Sequence, residues 1–159
     1  MALRKAGNWG RVTNLIHRLG KEAERAQALS LKRFGLKAEG QAKGHISKQD
    51  LQWRPLKPST IAQKIRKGYS TNILVATSSY FQAITSYVSD DTVYIGVRRS
   101  ARSSDGVILA NIAAIHEFGS TSGSIPARPL WKPTFLETLA WHSKNNRPEI
   151  ILIKNLSKY

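Results

Sequence analysis

The sequence predicts an α+β fold: a long N-terminal helix, a small antiparallel β-sheet built on a hairpin, and two to three further helices packed around it. Three observations carry this. Apolar residues recur every three or four positions from Val12 to Ile46, the period of an amphipathic helix. The period shortens to two between Ala83 and Val97 around Asp90-Asp91, the pattern of two strands joined by a tight turn. Prolines and glycines then cut the remaining chain into short apolar segments of helical length.

In the first helix, Val12, Leu15, Ile16, Leu19, Ala23, Ala26, Leu29, Phe34, Ala38, Ala42 and Ile46 form the apolar face. Arg11, Arg18, Lys21, Arg25, Lys32 and Lys43 form a basic stripe opposite. Gly20, Gly35, Gly40 and Gly44 interrupt it, and an interior glycine costs up to about 1 kcal/mol relative to alanine. The reading is one long helix, or two in line with a bend or break near Gly35.

Trp53-Arg54-Pro55-Leu56-Lys57-Pro58 is a structured loop, because two prolines forbid regular hydrogen bonding. Trp53 is its expected anchor. Ser59 or Thr60 then caps a short helix through Ile61, Ala62, Ile65 and Lys67, which Gly68 ends. Thr77-Ser78-Ser79-Tyr80-Phe81 reads as a capped helical turn leading into the first strand. In the hairpin, Ile84, Ser86 and Val88 share one side and Thr85 and Tyr87 the other, while Val93, Ile95 and Val97 alternate with Tyr94.

Arg98 to Gly106 is small and polar and is expected to be a mobile loop. A buried helix is expected at Val107 to Phe118, whose residues leave little polar face. A second loop spans Gly119 to Gly123, and Ile125-Pro126-Ala127-Arg128-Pro129 runs extended. Pro133 sits in the first turn of a last helix carrying Leu136, Leu139, Ala140 and Trp141, stopped by Asn145-Asn146-Arg147-Pro148. The apolar run Ile150 to Ile153 belongs to a strand or helical turn that must find cover. The division is a basic helical segment (1–52), an α+β core (53–144) and a C-terminal tail (145–159).

The chain has 159 residues, 41% apolar and 22% charged, enough for one domain of ordinary size, or one domain with an arm. Its 25 Lys and Arg against 10 Asp and Glu give a net charge of +15. The charge is uneven: through Ser70 there are 16 basic residues and four acidic ones, so the N-terminal segment is the part expected to face a polyanion. The absence of cysteine excludes disulfides, Cys-ligated metals and a thiol nucleophile. No apolar run of signal length follows the basic start, and none approaches the ~20 residues of a membrane span. A soluble, intracellular or intravirion protein is expected, with no cofactor.

His116-Glu117 raises metal or acid/base chemistry, but a zincin helix needs a second His one turn on, and Ser120 stands there. His17, His45 and His142 are distant and unpatterned. No phosphate-binding glycine loop, nucleophile elbow or spaced carboxylate pair is present. Base stacking by the tryptophans is set against their positions beside Pro or Leu, which favour packing. The strongest pattern is Ile115-His116-Glu117-Phe118-Gly119, a small polar loop, then Ile125-Pro126-Ala127-Arg128-Pro129-Leu130. Gly119 lets the chain leave the helix, and the prolines stiffen an extended segment that would present Arg128 to a carboxylate on a neighbour.

These two motifs resemble those of the tail-completion, or neck, proteins of tailed bacteriophages, including minor tail components of lambda-like phages and virion morphogenesis proteins of Mu-like phages. Trp53, Pro55 and Leu56, the Leu74, Thr77, Ser78 turn, and Val93 to Val97 agree in order. The family often has Thr-Gly-x-Leu where this chain has Thr77-Ser78-Ser79-Tyr80, and the Arg98–Gly106 loop is longer. The resemblance spans roughly Trp53 to Leu136.

It implies a non-enzymatic virion protein in a hexameric ring at the head–tail junction, located in the host cytoplasm during assembly and making no membrane contact. Its partners would be further copies, the neighbouring head-connector proteins, and tail-terminator or tail-tube proteins. Interface candidates are His116, Glu117, Phe118, Gly119, Ile125, Pro126, Arg128 and Pro129. The basic stripe would face the DNA path by non-specific phosphate attraction, or an acidic portal or tail-tube surface. The alternatives are a stand-alone nucleic-acid-binding protein and, further off, a metal-dependent nuclease using His116 and Glu117.

Overall fold

Asn8 opens the first helix by accepting a hydrogen bond from the Arg11 amide at 3.1 Å, and α1 then runs unbroken over Trp9–Lys48. The computed structural model describes residues 7–157. Of the two alternatives, one long helix is the one formed, and Gly35 does not break it. Forty residues make a rod of about 60 Å, ended by Gln49 in a left-handed conformation (φ 56°). The Gln49 side chain then pairs with the Ile73 backbone, donating to its carbonyl at 3.1 Å and accepting from its amide at 2.8 Å.

Only the C-terminal part of α1 is packed. Ala26, Phe34, Ala38, Ala42 and Ile46 are buried, whereas Val12, Leu15, Ile16 and Leu19 are exposed. Gly35 is the contact point with the sheet: a Cβ there would lie 2.9 Å from Val93 Cγ2 and 3.1 Å from Ser86 Cβ. The glycine that reads as a helix breaker is a close-approach site.

Helix α2 (Pro58–Arg66) starts two to three residues earlier than the Ser59 or Thr60 cap requires. Lys57 is the N-cap without a side-chain bond, and Pro58 takes the first turn, where its missing N–H costs nothing. Gly68 (φ 66°) ends it as expected, with the Tyr69 amide reaching Lys64 O at 2.9 Å and the Gly68 amide reaching Ile65 O at 3.0 Å. The turn α3 (Ser79–Ala83) lacks the expected side-chain cap, because Ser78 at its start adopts φ 63°.

Strands β1 (Ile84–Ser89) and β2 (Thr92–Val97) pair antiparallel across the expected Asp90-Asp91 turn, Ile84 opposite Val97 and Ser89 opposite Thr92. Their inner face lies on α1, where the Glu39 carboxylate accepts from the Ser86 amide at 2.9 Å and hydroxyl at 3.0 Å. On the outer face, Tyr87 and Tyr94 stack at 4.9 Å.

The Arg98–Gly106 loop is tied down: Arg102 bridges Ile108, the Ser103 amide reaches Val107 O at 2.9 Å, and the Leu109 amide reaches Ala101 O at 2.9 Å. The expectation of a mobile loop read polarity and missed these backbone pairings. Helix α4 (Leu109–Phe118) is shorter than expected and not buried. Only Leu109 is enclosed, and Ile115 and Phe118 face outward.

Helix α5 (Trp131–Asn145) holds Pro133 in its first turn, as expected, but presents a different face: Thr134 and Thr138 are buried, and Phe135, Leu136 and Leu139 are exposed. The threonines fit against α1 because each hydroxyl is satisfied within the helix, Thr134 on Leu130 O at 2.7 Å and Thr138 on Thr134 O at 2.8 Å. The tail forms α6 (Pro148–Leu156) along α1, with Ile151 buried.

At the turn between α5 and α6, Asn146 is fully buried. It donates to Ser30 O at 2.7 Å, while the Ser30 hydroxyl donates to Asn146 O at 2.6 Å. The main core gathers where α1 ends: Ala42, Ile46, Trp53, Leu74, Tyr80, Ile84 and Leu130. Trp53 anchors its loop as expected, donating to Pro129 O at 2.9 Å.

Candidate assembly surfaces and a cationic cleft

The His116–Pro129 motif folds back on itself. Gly119 has φ 84°, and a Cβ there would sit 3.2 Å from both Ala127 N and Ile125 O. The close approach lets the Arg128 amide reach His116 O at 2.6 Å and the Ser120 amide reach Ile125 O at 2.9 Å.

Glu117 turns inward from α4 to the start of α5. Its carboxylate accepts from the amides of Leu130 (2.7 Å), Trp131 (3.0 Å) and Lys132 (3.3 Å). A helix start leaves such amides unpaired and carries partial positive charge, and α5 has no acidic residue in its own first turn. Glu117 supplies the missing cap from another element, so its oxygens are committed to structure. Beside it Phe118 is 82% exposed, and Ile125 is also exposed.

Arg128 does not project from the outer surface but lines a cleft. It is 6% exposed, and its Nε donates to Arg54 O at 3.2 Å. The extended Pro-Ala-Arg-Pro segment directs this side chain into the protein, because the Arg128 backbone is already pinned to His116. Among the described residues no carboxylate pairs with it.

Arg128 lies in a cleft of about 530 Å³ that also takes Arg54, Lys57, Lys64 and Lys67. Lys64 is tethered to the carbonyls of Asn72 and Val75 at 2.6 Å each. The cleft lining contains no Asp or Glu, and Leu56, Leu74, Leu109 and Ile112 supply apolar surface. Burial and then the Arg128 charge lower the Lys64 pKa. Burial, then Arg128 and Lys64, push the His116 imidazole down to about 4, so it is neutral at pH 7. Its Nδ1 is buried without a hydrogen-bond partner. A neutral imidazole without partners and a carboxylate bound by three amides are not arranged for shared acid/base work. No cluster of three or more His, Asp or Glu able to hold a metal ion occurs among the described residues.

The basic stripe is partly as read. Arg11, Arg18, Lys21, Arg25, Lys32 and Lys43 fall in a sector of about 80° at 100° per residue. Arg11, Arg18, Lys21 and Arg25 lie on the uncovered length of α1. Arg25 pairs with Glu22, and Lys43 is turned onto Glu39 at 2.7 Å. The structure does not bring this stripe together with the His116–Pro129 motif, apart from α1 ending near the core beneath it. The cleft cations other than Arg128 were missed in the sequence. Their signal was present: Lys57, Thr60, Lys64 and Lys67 follow helical spacing on one face of α2.

The molecule is thus an α+β protein whose surface offers an uncovered amphipathic helix, an exposed apolar ridge and a cationic cleft. No protein-family model, curated protein or solved structure matches the chain. No helix among the described residues is long and apolar enough to cross a membrane.

Proposed function

We propose that the chain is a structural, non-catalytic subunit of a phage neck, a tail-completion protein that joins further copies in a hexameric ring at the head–tail junction of the virion. The observation that carries this reading is the uncovered N-terminal length of α1, where Trp9, Val12, Leu15, Ile16 and Leu19 are all exposed. An exposed apolar stripe on one helix face supports a partner-binding role. Phe118, Phe135, Leu136 and Leu139 expose more apolar surface on other elements. Different patches on one subunit suit the heterologous contacts from which closed rings are built.

The resemblance of Ile115 to Gly119 and Ile125 to Leu130 to the neck proteins supplies the virion context. The basic stripe would then attract the DNA that passes through the ring. Light scattering coupled to size-exclusion chromatography tests the proposal, on the protein alone and with the neighbouring head and tail proteins. A hexamer, or a subunit that enters a ring only with those neighbours, is expected. A monomer or dimer indifferent to them overturns it.

A second reading, a stand-alone nucleic-acid-binding protein, draws on the exposed Tyr87–Tyr94 stack with the Arg98 guanidinium 4.8 Å from the Tyr87 ring. It expects the isolated protein to hold DNA tightly and salt-sensitively.

A further inference from the structure

Arg128 is a buried cation without a carboxylate, beside four more cations, in a cleft with no acidic lining. Isolating a buried charge among like charges is costly, and an incoming anion relieves that cost. The same chain carries a complementary feature. Asp90-Asp91 is the one place in the sequence where two carboxylates are adjacent, and it forms the turn of the β1–β2 hairpin. Ser89 to Thr92 are all exposed, and neither aspartate pairs with a cation among the described residues. Gln27 holds Asp91 in place, donating to it at 3.0 Å.

The two features lie at opposite ends of the body. The turn sits over Gln27, whereas the cleft adjoins the core around Ile46, with which it shares Leu74 and Tyr80. Gln27 and Ile46, 19 positions apart, are separated by about 28 Å along α1. One chain therefore cannot bring them together, but successive chains can.

We infer that the cationic cleft receives the Asp90-Asp91 turn of a second copy, joining subunits head to tail. This rests on the ring assembly proposed above and names the contact that builds it. The carboxylates enter beside Arg128 with Lys57, Lys64 and Lys67 around them, and the flanking Val88, exposed at the strand end, meets the apolar floor. A heterologous contact of this kind repeats until the ring closes. A concave site with an apolar floor suits a two-residue protein turn better than the phosphate backbone of a duplex, which is read from outside by exposed cations.

The chain has no cysteine, so introduced thiols report contacts uniquely. Thr92→Cys and Gln63→Cys place one thiol beside the turn and one at the cleft, both at exposed or half-buried positions, and leave every charge in place. Under assembly conditions, with the neighbouring head and tail proteins where these are required, mixing the two full-length single variants with a short bis-maleimide should give covalent dimers. The double variant should give a ladder.

In parallel, Asp90→Lys with Asp91→Lys, and separately Lys57→Glu with Lys67→Glu, should each weaken self-association by about tenfold or more. Combining all four should restore it. These positions are exposed, so each variant should keep the native circular dichroism spectrum.

Rings that form without cross-linking and without charge-swap rescue overturn this contact and leave the neck reading standing. Cross-linking and rescue in a protein that multimerises but never joins the neck neighbours uphold the contact and overturn the neck reading. A chain that stays monomeric in every mixture overturns both. If the cleft variants alone block binding to DNA or to a head or tail protein, and the Asp90/Asp91 variant assembles normally, the occupant is another and the contact is overturned.

Discussion

The Glu117 carboxylate accepts a hydrogen bond from the Trp131 amide at 3.0 Å across the twelve-residue loop between α4 and α5, and caps a helix it does not belong to. This ties α4, the Gly119–Pro129 loop and α5 into one unit. Glu117→Ala removes the acceptor of three amides and the anion at the helix start. An unfolding free energy lower by about 1–2 kcal/mol is expected, read by urea titration, with Glu117→Gln losing less.

Gly35 and Gly20 should answer oppositely to alanine. Gly35→Ala gains helix propensity but drives a Cβ to 2.9 Å from Val93 Cγ2, so a net loss of about 1–2 kcal/mol is expected. Gly20 has open space around it, and Gly20→Ala should raise the helical content of the arm by circular dichroism.

Ser78 holds φ 63°, a region that costs a non-glycine residue about 1 kcal/mol or more. Ser78→Gly should therefore raise the unfolding free energy by about 1 kcal/mol, read as a higher thermal midpoint. A fall instead would mean that the hydroxyl holds the turn.

His116 sets a pH dependence. Its folded pKa, about 4, lies below the unfolded value near 6.5, so between these values the unfolded chain binds a proton that the folded chain refuses. Stability is full above about pH 6.5, falls as pH drops to about 4, and loses on the order of 3 kcal/mol over that window. Glu39, held low by Lys43 and Ser86 against the opposing effect of burial, adds its own loss only as its folded pKa is crossed. His116→Leu should flatten the pH 4–6.5 slope in urea titrations and leave the more acidic slope intact.

Deleting residues 1–20 should leave the thermal midpoint unchanged, since every described residue before Lys21 is exposed. The same deletion should abolish assembly, measured by light scattering.

The fold was legible wherever local period and backbone restraint decide the outcome. The hairpin and its turn followed from alternation around Asp90-Asp91, the end of α2 from Gly68, and the first turn and stop of α5 from Pro133 and Pro148. Misreadings arose where packing overrode composition. The helix ending at Phe118 is expected to be buried but encloses only Leu109, and α5 lays Thr134 and Thr138 against α1, with their hydroxyls satisfied internally, while Leu136 and Leu139 are exposed. The Arg98–Gly106 loop is polar yet fixed, because backbone pairing does not depend on side-chain polarity.

For the candidate site, the sequence displayed the His116–Pro129 motif and the basic stripe but not their directions. It determined by itself the α+β class, the long amphipathic helix, the hairpin and the excess of positive charge, since these follow from residue spacing and composition. Only the tertiary structure decided that Arg128 points inward, that Glu117 caps α5, and that Arg54, Lys57, Lys64 and Lys67 converge with Arg128 in one cleft. Those relationships join residues distant in the chain, and they depend on how elements dock rather than on any local preference.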